Sequence, residues 1–123
     1  MSDLPLIDEA VLESLGEYGP GDFLEQMIDL FLATSTETMA SLREAAAVGN
    51  AAQAAFDAHS LRSSAGNLGL LALAEATRAL EESAQADTST LPSRTHDLVV
   101  VHGATVEELV KFRDRLREAS RIS

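Results

Sequence analysis

The stretch Ala58-His59-Ser60-Leu61-Arg62-Ser63-Ser64-Ala65-Gly66-Asn67-Leu68-Gly69 decides the fold. Ala58, Leu61, Ala65 and Leu68 recur at three- and four-residue steps, which is the spacing of one apolar stripe on an α-helix, and Ala51 and Ala54 carry that stripe upstream. Asn67 and Gly69 mark a tight corner, and a second stripe, Leu70, Leu73, Thr77, Leu80 and Ala84, follows at once. So short a link makes the two helices antiparallel neighbours. At about 100° per residue, His59 points about 130° away from the stripe of its own helix, to the outside.

Outward from this pair the helical period continues, and no strand-like alternation of useful length interrupts it. Upstream, a helix starting near Gly21 or Asp22 carries Leu24, Ile28, Phe31, Ser35, Thr38 and Leu42 and ends at Gly49-Asn50. A short first helix is signalled by Asp8 as N-cap before Ala10, Val11 and Leu15. It closes in the Gly16 to Gly21 region, where Gly19-Pro20 is a breaker. Downstream, the polar run Asp87 to Ser93 reads as a loop, with Pro92-Ser93 opening a last helix on Leu98, Val101, Thr105, Leu109, Phe112 and Leu116. Gly103 inside that helix costs about 1 kcal/mol against Ala, which packing can absorb. The predicted fold is all-α: an antiparallel four-helix bundle with a short additional N-terminal helix, one domain over residues 1–123.

Composition narrows the function. A chain of 123 residues buries roughly two-thirds of the surface its unfolded form exposes. No apolar run approaches the ~20 residues that span a bilayer, so no membrane role is expected. The formal charge of −11 argues against nucleic acid, whose phosphates demand clustered Lys and Arg. Residues 1–42 hold nine acids and no Lys or Arg, while Lys111, Arg113, Arg115, Arg117 and Arg121 gather near the C-terminus, where they suit the negative end of the last helix. The start Met1-Ser2-Asp3-Leu4-Pro5 lacks the regions of a secretory signal and there is no cysteine, so a cytoplasmic location is expected.

The residues on the face of His59 are Ala55, Phe56, Arg62 and Ser63, one turn away, and Gly66, two turns away. Small side chains around a lone outward imidazole leave room for a second protein to reach the ring. Phe56 lies almost opposite the core stripe, an apolar docking spot unless the N-terminal helix covers it. Histidine, with an ordinary pKa near ~6.5, offers an unshared nitrogen pair at neutral pH and can attack phosphorus without a separate base. Nε2 projects furthest on a helix and is the natural attacking atom, with Nδ1 protonated. Arg62 can offset phosphoryl charge. Ser63 leans back toward His59 and is a candidate orienter of the ring or the phosphoryl group.

His59, Leu61, Ser64, Ala65, Leu68 and Gly69 together resemble the signature of the histidine-containing phosphotransfer domains of multistep two-component phosphorelays. Phe23-Leu24 through Phe31-Leu32 resembles that family's second helix, and Leu80-Glu81 its helix after the corner. Arg62 stands where lysine is usual, which keeps charge but not shape, and Ser63 where glycine is usual, which narrows the partner's approach. The resemblance implies that His59 takes a phosphoryl group from an aspartate of one response-regulator receiver domain and passes it to another. It also implies a hybrid sensor kinase as a further partner, and magnesium in the receiver rather than a cofactor here. Such a chain carries phosphate without autonomous catalysis, and a monomer is expected.

Two rival readings fail on motifs. No Gly-rich phosphate loop is present for an ATP-binding enzyme. His96 and His102 lack metal-ligand spacing and read as surface or end-of-helix groups. A third rival survives at this stage: a bundle of the same fold that binds and sequesters a receiver or kinase without carrying phosphate, for which Ser63 is the best argument.

Overall fold

A computed structural model of the chain describes residues 3–19 and 21–122 and contains five helices. They are α1 (Glu9–Gly16), α2 (Phe23–Ala47), α3 (Ala51–Asn67), α4 (Leu71–Ala86) and α5 (Leu91–Ile122), with one 3₁₀ turn at Thr88–Thr90. No strand occurs among the described residues. Helices α2 to α5 form an antiparallel ring in which α3 packs on α2 and α4, and α5 closes the ring against α4 and α2. The short α1 packs on α2.

Two corners are built the same way. Gly49 and Gly69 adopt φ of +74° and +72°, the left-handed conformation that glycine takes without a Cβ penalty. After α2, the Asn50 amide donates to the Ala45 carbonyl at 2.8 Å and the Gly49 amide to Ala46 at 3.2 Å. After α3, Leu70 donates to Ala65 at 2.9 Å and Gly69 to Gly66 at 3.2 Å. Both pairs satisfy carbonyls that a helix end would orphan. Asn50 also caps α3, its side chain accepting from the Gln53 amide at 3.1 Å. At the second corner Asp8, the N-cap of α1, donates its amide to the Gly69 carbonyl at 2.8 Å, and Val11 lies against the glycine. The first helix is thereby tied to the turn that follows α3.

The core is the stripe of each helix turned inward. Ile28, Leu42, Leu73, Leu80, Leu98 and Leu109 are fully enclosed, with Ala54, Ala58 and Ala65 where α3 approaches its neighbours closely. Several expectations shift by a residue. On α2 the inward residue is Met39 rather than Thr38, because the run from Ser35 to Leu42 turns its larger apolar side chain to the core and leaves Thr38 at the edge. On α1 the buried residue is Leu12, while Ala10 is exposed and Val11 and Leu15 are half-buried. On α4 Ser83 is buried and Ala84 half-buried.

The run expected as a loop is mostly ordered. The Asp87 carboxylate accepts from the amide and the hydroxyl of Ser89 at 3.1 and 2.6 Å, so a 3₁₀ turn forms and α5 begins at Leu91, before Pro92. The Ser89 bonds hold the Asp87 carboxyl below its usual range. Pro20, one half of the expected breaker, lies outside the described residues.

His102 is a further correction. It stands in the middle of α5, half-buried, with Nε2 2.9 Å from the Oγ of the buried Ser35 on α2. The basic C-terminal half of α5 also does more than face its own dipole. Arg113 and Arg117 both bond Asp29 on α2, at 3.0 and 2.9 Å, and Arg115 reaches Glu9 on α1 at 3.1 Å.

Candidate functional site

Helix α3 is short of large side chains on its outer face, and that is what exposes the histidine. The His59 side chain is 67% exposed, and Ser60, Arg62, Ser63 and Gly66 around it are exposed too. Phe56, one turn before, is 69% exposed: α1 packs elsewhere and leaves the ring uncovered. Ala55 is half-buried. A Cβ placed on Gly66 would meet nothing within 4 Å, so the chain itself leaves that space empty. All six residues singled out in the sequence lie on α3, within about three turns of helix.

The packing of α4 against α3 supplies a residue that the sequence reading did not assign. Glu81 on α4 places Oε1 3.3 Å from Nδ1 of His59, with its own side chain only 17% exposed. A carboxylate oxygen only accepts, so this contact is a hydrogen bond when Nδ1 carries the proton. That tautomer leaves the lone pair on Nε2, the atom expected to react. Arg62 brings Nη1 to 3.7 Å from the other carboxylate oxygen, an ion-pair distance too long for a hydrogen bond. No hydrogen bond joins the Ser63 hydroxyl to the ring; the group that bonds the ring is Glu81.

The other charges of this region are committed. Arg78 on α4 is held by Glu75 at 2.6 Å and Glu82 at 2.5 Å, and its hydrogen bond pulls the Glu75 carboxyl below its usual range, with Arg62 adding a weaker pull. Asp57, two residues before the histidine, is buried and accepts from Ser41 at 2.7 Å and Gln53 at 3.0 Å, which ties α3 to α2. Arg62, by contrast, is 46% exposed and only loosely paired.

On the α2 side a shallow groove runs past Met27, Leu30, Thr34, Ser64 and Asn67, with Leu30 largely exposed. A wider concavity of about 480 Å³ lies between α4 and α5 beside Ala72, Ala76, Arg94 and Val101, and includes neither His59 nor Glu81. The histidine is thus on an open ridge, where a second macromolecule can reach it and a small substrate would find no enclosure. No group of three or more His, Cys, Asp or Glu among the described residues could hold a metal ion.

A helical bundle that presents an exposed histidine braced by a carboxylate of the neighbouring helix has the form of a class of protein, the phosphotransfer bundles. The sequence pattern of the Hpt domain matches residues 26–119, and the chain belongs to that family. The fold matches the crystal structure of histidine-containing phosphotransfer protein B (HptB) from Pseudomonas aeruginosa PAO1 with a TM-score of 0.84 and 28% identity, over 92% of this chain and 98% of that one. None of the curated proteins compared with the chain matches it. The family places the chain in a phosphotransfer relay, in which Hpt domains carry phosphoryl groups and work with receiver domains. Among the described residues no helix is long and apolar enough to cross a membrane.

Proposed function

We propose that His59 accepts a phosphoryl group from the aspartate of one response-regulator receiver domain and passes it to the aspartate of another. The observation that carries this reading is the ring itself: exposed on a ridge of small residues, with Nδ1 against Glu81 and Nε2 left to react. In the accepting step the Nε2 lone pair forms the N–P bond while the aspartyl O–P bond breaks and its electron pair stays on the carboxylate. The receiver supplies magnesium, and this chain contributes no cofactor and no catalysis of its own. A hybrid sensor kinase carrying a receiver is the natural upstream partner. Phe56, Ala55 and Gly66 form the apolar, low-relief surface on which a receiver seats, and Arg62 meets the transferring charge.

The test is phosphoryl transfer from a panel of receiver domains charged with a small-molecule donor, scored as acid-labile, alkali-stable label on the chain. Label on wild type and none on His59→Gln is expected. Arg62→Ala should slow transfer tenfold or less, about 1.4 kcal/mol, because a half-exposed arginine is screened by water. Receivers that bind the chain yet leave it unlabelled would replace the carrier with a sequestering module.

A further inference from the structure

Glu81 is a costly choice for holding a histidine in place. Its Oε2 is buried and has no hydrogen-bond partner, and its nearest cation is Arg62 at 3.7 Å. A glutamine amide at the same position could accept the same bond from Nδ1 through its oxygen and would bury no charge. The geometry of the ring therefore accounts for an acceptor at residue 81 but not for a negative one. What a charge adds appears only when the ring is itself charged.

Resting on the reading of His59 as acceptor, we propose that the Glu81 carboxylate governs how readily the loaded ring gives up its phosphoryl group. With phosphorus on Nε2 and a proton on Nδ1 the ring is a cation, and the carboxylate stabilises it directly. In discharge the Nε2–P bond breaks and its electron pair stays on Nε2. A carboxylate oxygen of the receiving aspartate takes the phosphoryl group, and the Nδ1 proton stays where it is. The leaving group is then neutral imidazole. Were the Nδ1 proton lost first, the leaving group would be an imidazolate anion, which departs far less readily. Glu81 keeps the loaded chain in the form that discharges. The charged groups within ion-pair reach of the ring or of Glu81 are Glu81 on α4 and Arg62 on α3; α2 and α5 bring none among the described residues. Arg62 opposes the effect only partly, being half-exposed and screened.

The full chain as wild type, Glu81→Gln and Glu81→Ala is charged with phosphoramidate, and loss of the phosphohistidine signal is followed by phosphorus NMR from about pH 6 to pH 10, alone and with an uncharged receiver. In both variants the fall-off of the rate should move down by about one pH unit, since one unit of proton affinity is a factor of ten. On its alkaline side the group should be held longer than in wild type, although each protonated ring leaves more readily without the carboxylate. Glu81→Gln keeps the acceptor and the shape of the side chain, so a purely structural role predicts wild-type behaviour for it and a defect in Glu81→Ala alone. A Glu81→Gln chain with the lifetime and pH profile of wild type overturns the inference and leaves His59 as carrier. Absence of label on wild-type His59 from every donor overturns the carrier reading and this inference with it.

Discussion

At the residue scale, the site is defined as much by what is missing as by what is present. Gly66 lies one turn beyond Arg62 and Ser63 in a regular helix, has no left-handed backbone to explain it, and faces open space. The expected outcome for Gly66→Ala is a fold unchanged or stabilised by up to about 1 kcal/mol, from helix propensity alone. Phosphoryl exchange with receivers should slow, because the added methyl group meets the partner and not the chain. Thermal denaturation and transfer rates check the two halves separately, and a lower Tm would mean the glycine serves internal packing. The exposure of His59 and Phe56 followed from helical phase alone, since both sit far around α3 from its alanine and leucine stripe. Glu81 could not be read in the same way. It is 22 positions from His59, and no local spacing links a residue on one helix to a ring on the next. Its signals are an acid beside the inward Leu80 and the resemblance of Leu80-Glu81 to the family's helix after the corner, and neither says what the side chain touches.

At the scale of elements, the two glycine corners separate backbone strain from crowding. Gly49 and Gly69 share the same φ, but a Cβ on Gly49 would meet nothing, whereas one on Gly69 would lie 2.7 Å from the Cβ of Val11. Gly49→Ala should cost about 1 kcal/mol from the left-handed backbone, and Gly69→Ala clearly more, since α1 must also move. Urea denaturation of the two variants measures the difference, and equal losses would show that α1 yields freely. The tie between α2 and α5 through Ser35 and His102 carries a pH signature. Burial pushes the His102 imidazole below its ordinary value of 6.5. The unfolded chain therefore binds a proton at a higher pH than the folded one does. The contribution to stability is fully present above about pH 6.5 and is lost as the pH falls through the folded value. The Tm of wild type should fall more between about pH 7.5 and pH 5.5 than that of His102→Gln, which cannot titrate. Parallel curves would assign the pH dependence to other groups.

At the scale of the molecule, the uneven charge of the sequence becomes a pattern of cross-helix pairing. The acids of residues 1–42 lie on α1 and α2 and in the segments beside them, and α5 runs back along α2 and reaches α1 through one side chain, so Arg113, Arg115 and Arg117 meet Asp29, Glu9 and Glu25. The Asp29 bond raises the proton affinity of Arg113. Each exposed pair contributes little alone, ~0–1 kcal/mol, but in a chain of formal charge −11 the basic stretch also relieves general repulsion. The double variant Arg113→Gln/Arg117→Gln should lower stability by about 1 kcal/mol or somewhat more at low salt, and by much less in about 1 M salt, where the Debye length is near 3 Å. A loss independent of salt would trace instead to the packing of the arginine stems.

The sequence by itself determined the class of fold, the order and phase of the helices, both glycine corners and the outward histidine. Each of these is local, fixed by apolar spacing along one helix or by the conformational freedom of one glycine, and readable without knowing a neighbour. It placed element ends less surely. Asp87 builds its own turn, and so α5 starts before the proline that was expected to open it. Only the tertiary structure decided what the histidine touches, that His102 reaches Ser35, and that the C-terminal bases pair with the N-terminal acids. Those contacts depend on how α4 and α5 are set against α3 and α2, and side chains far apart in the chain meet only once the stripes have packed.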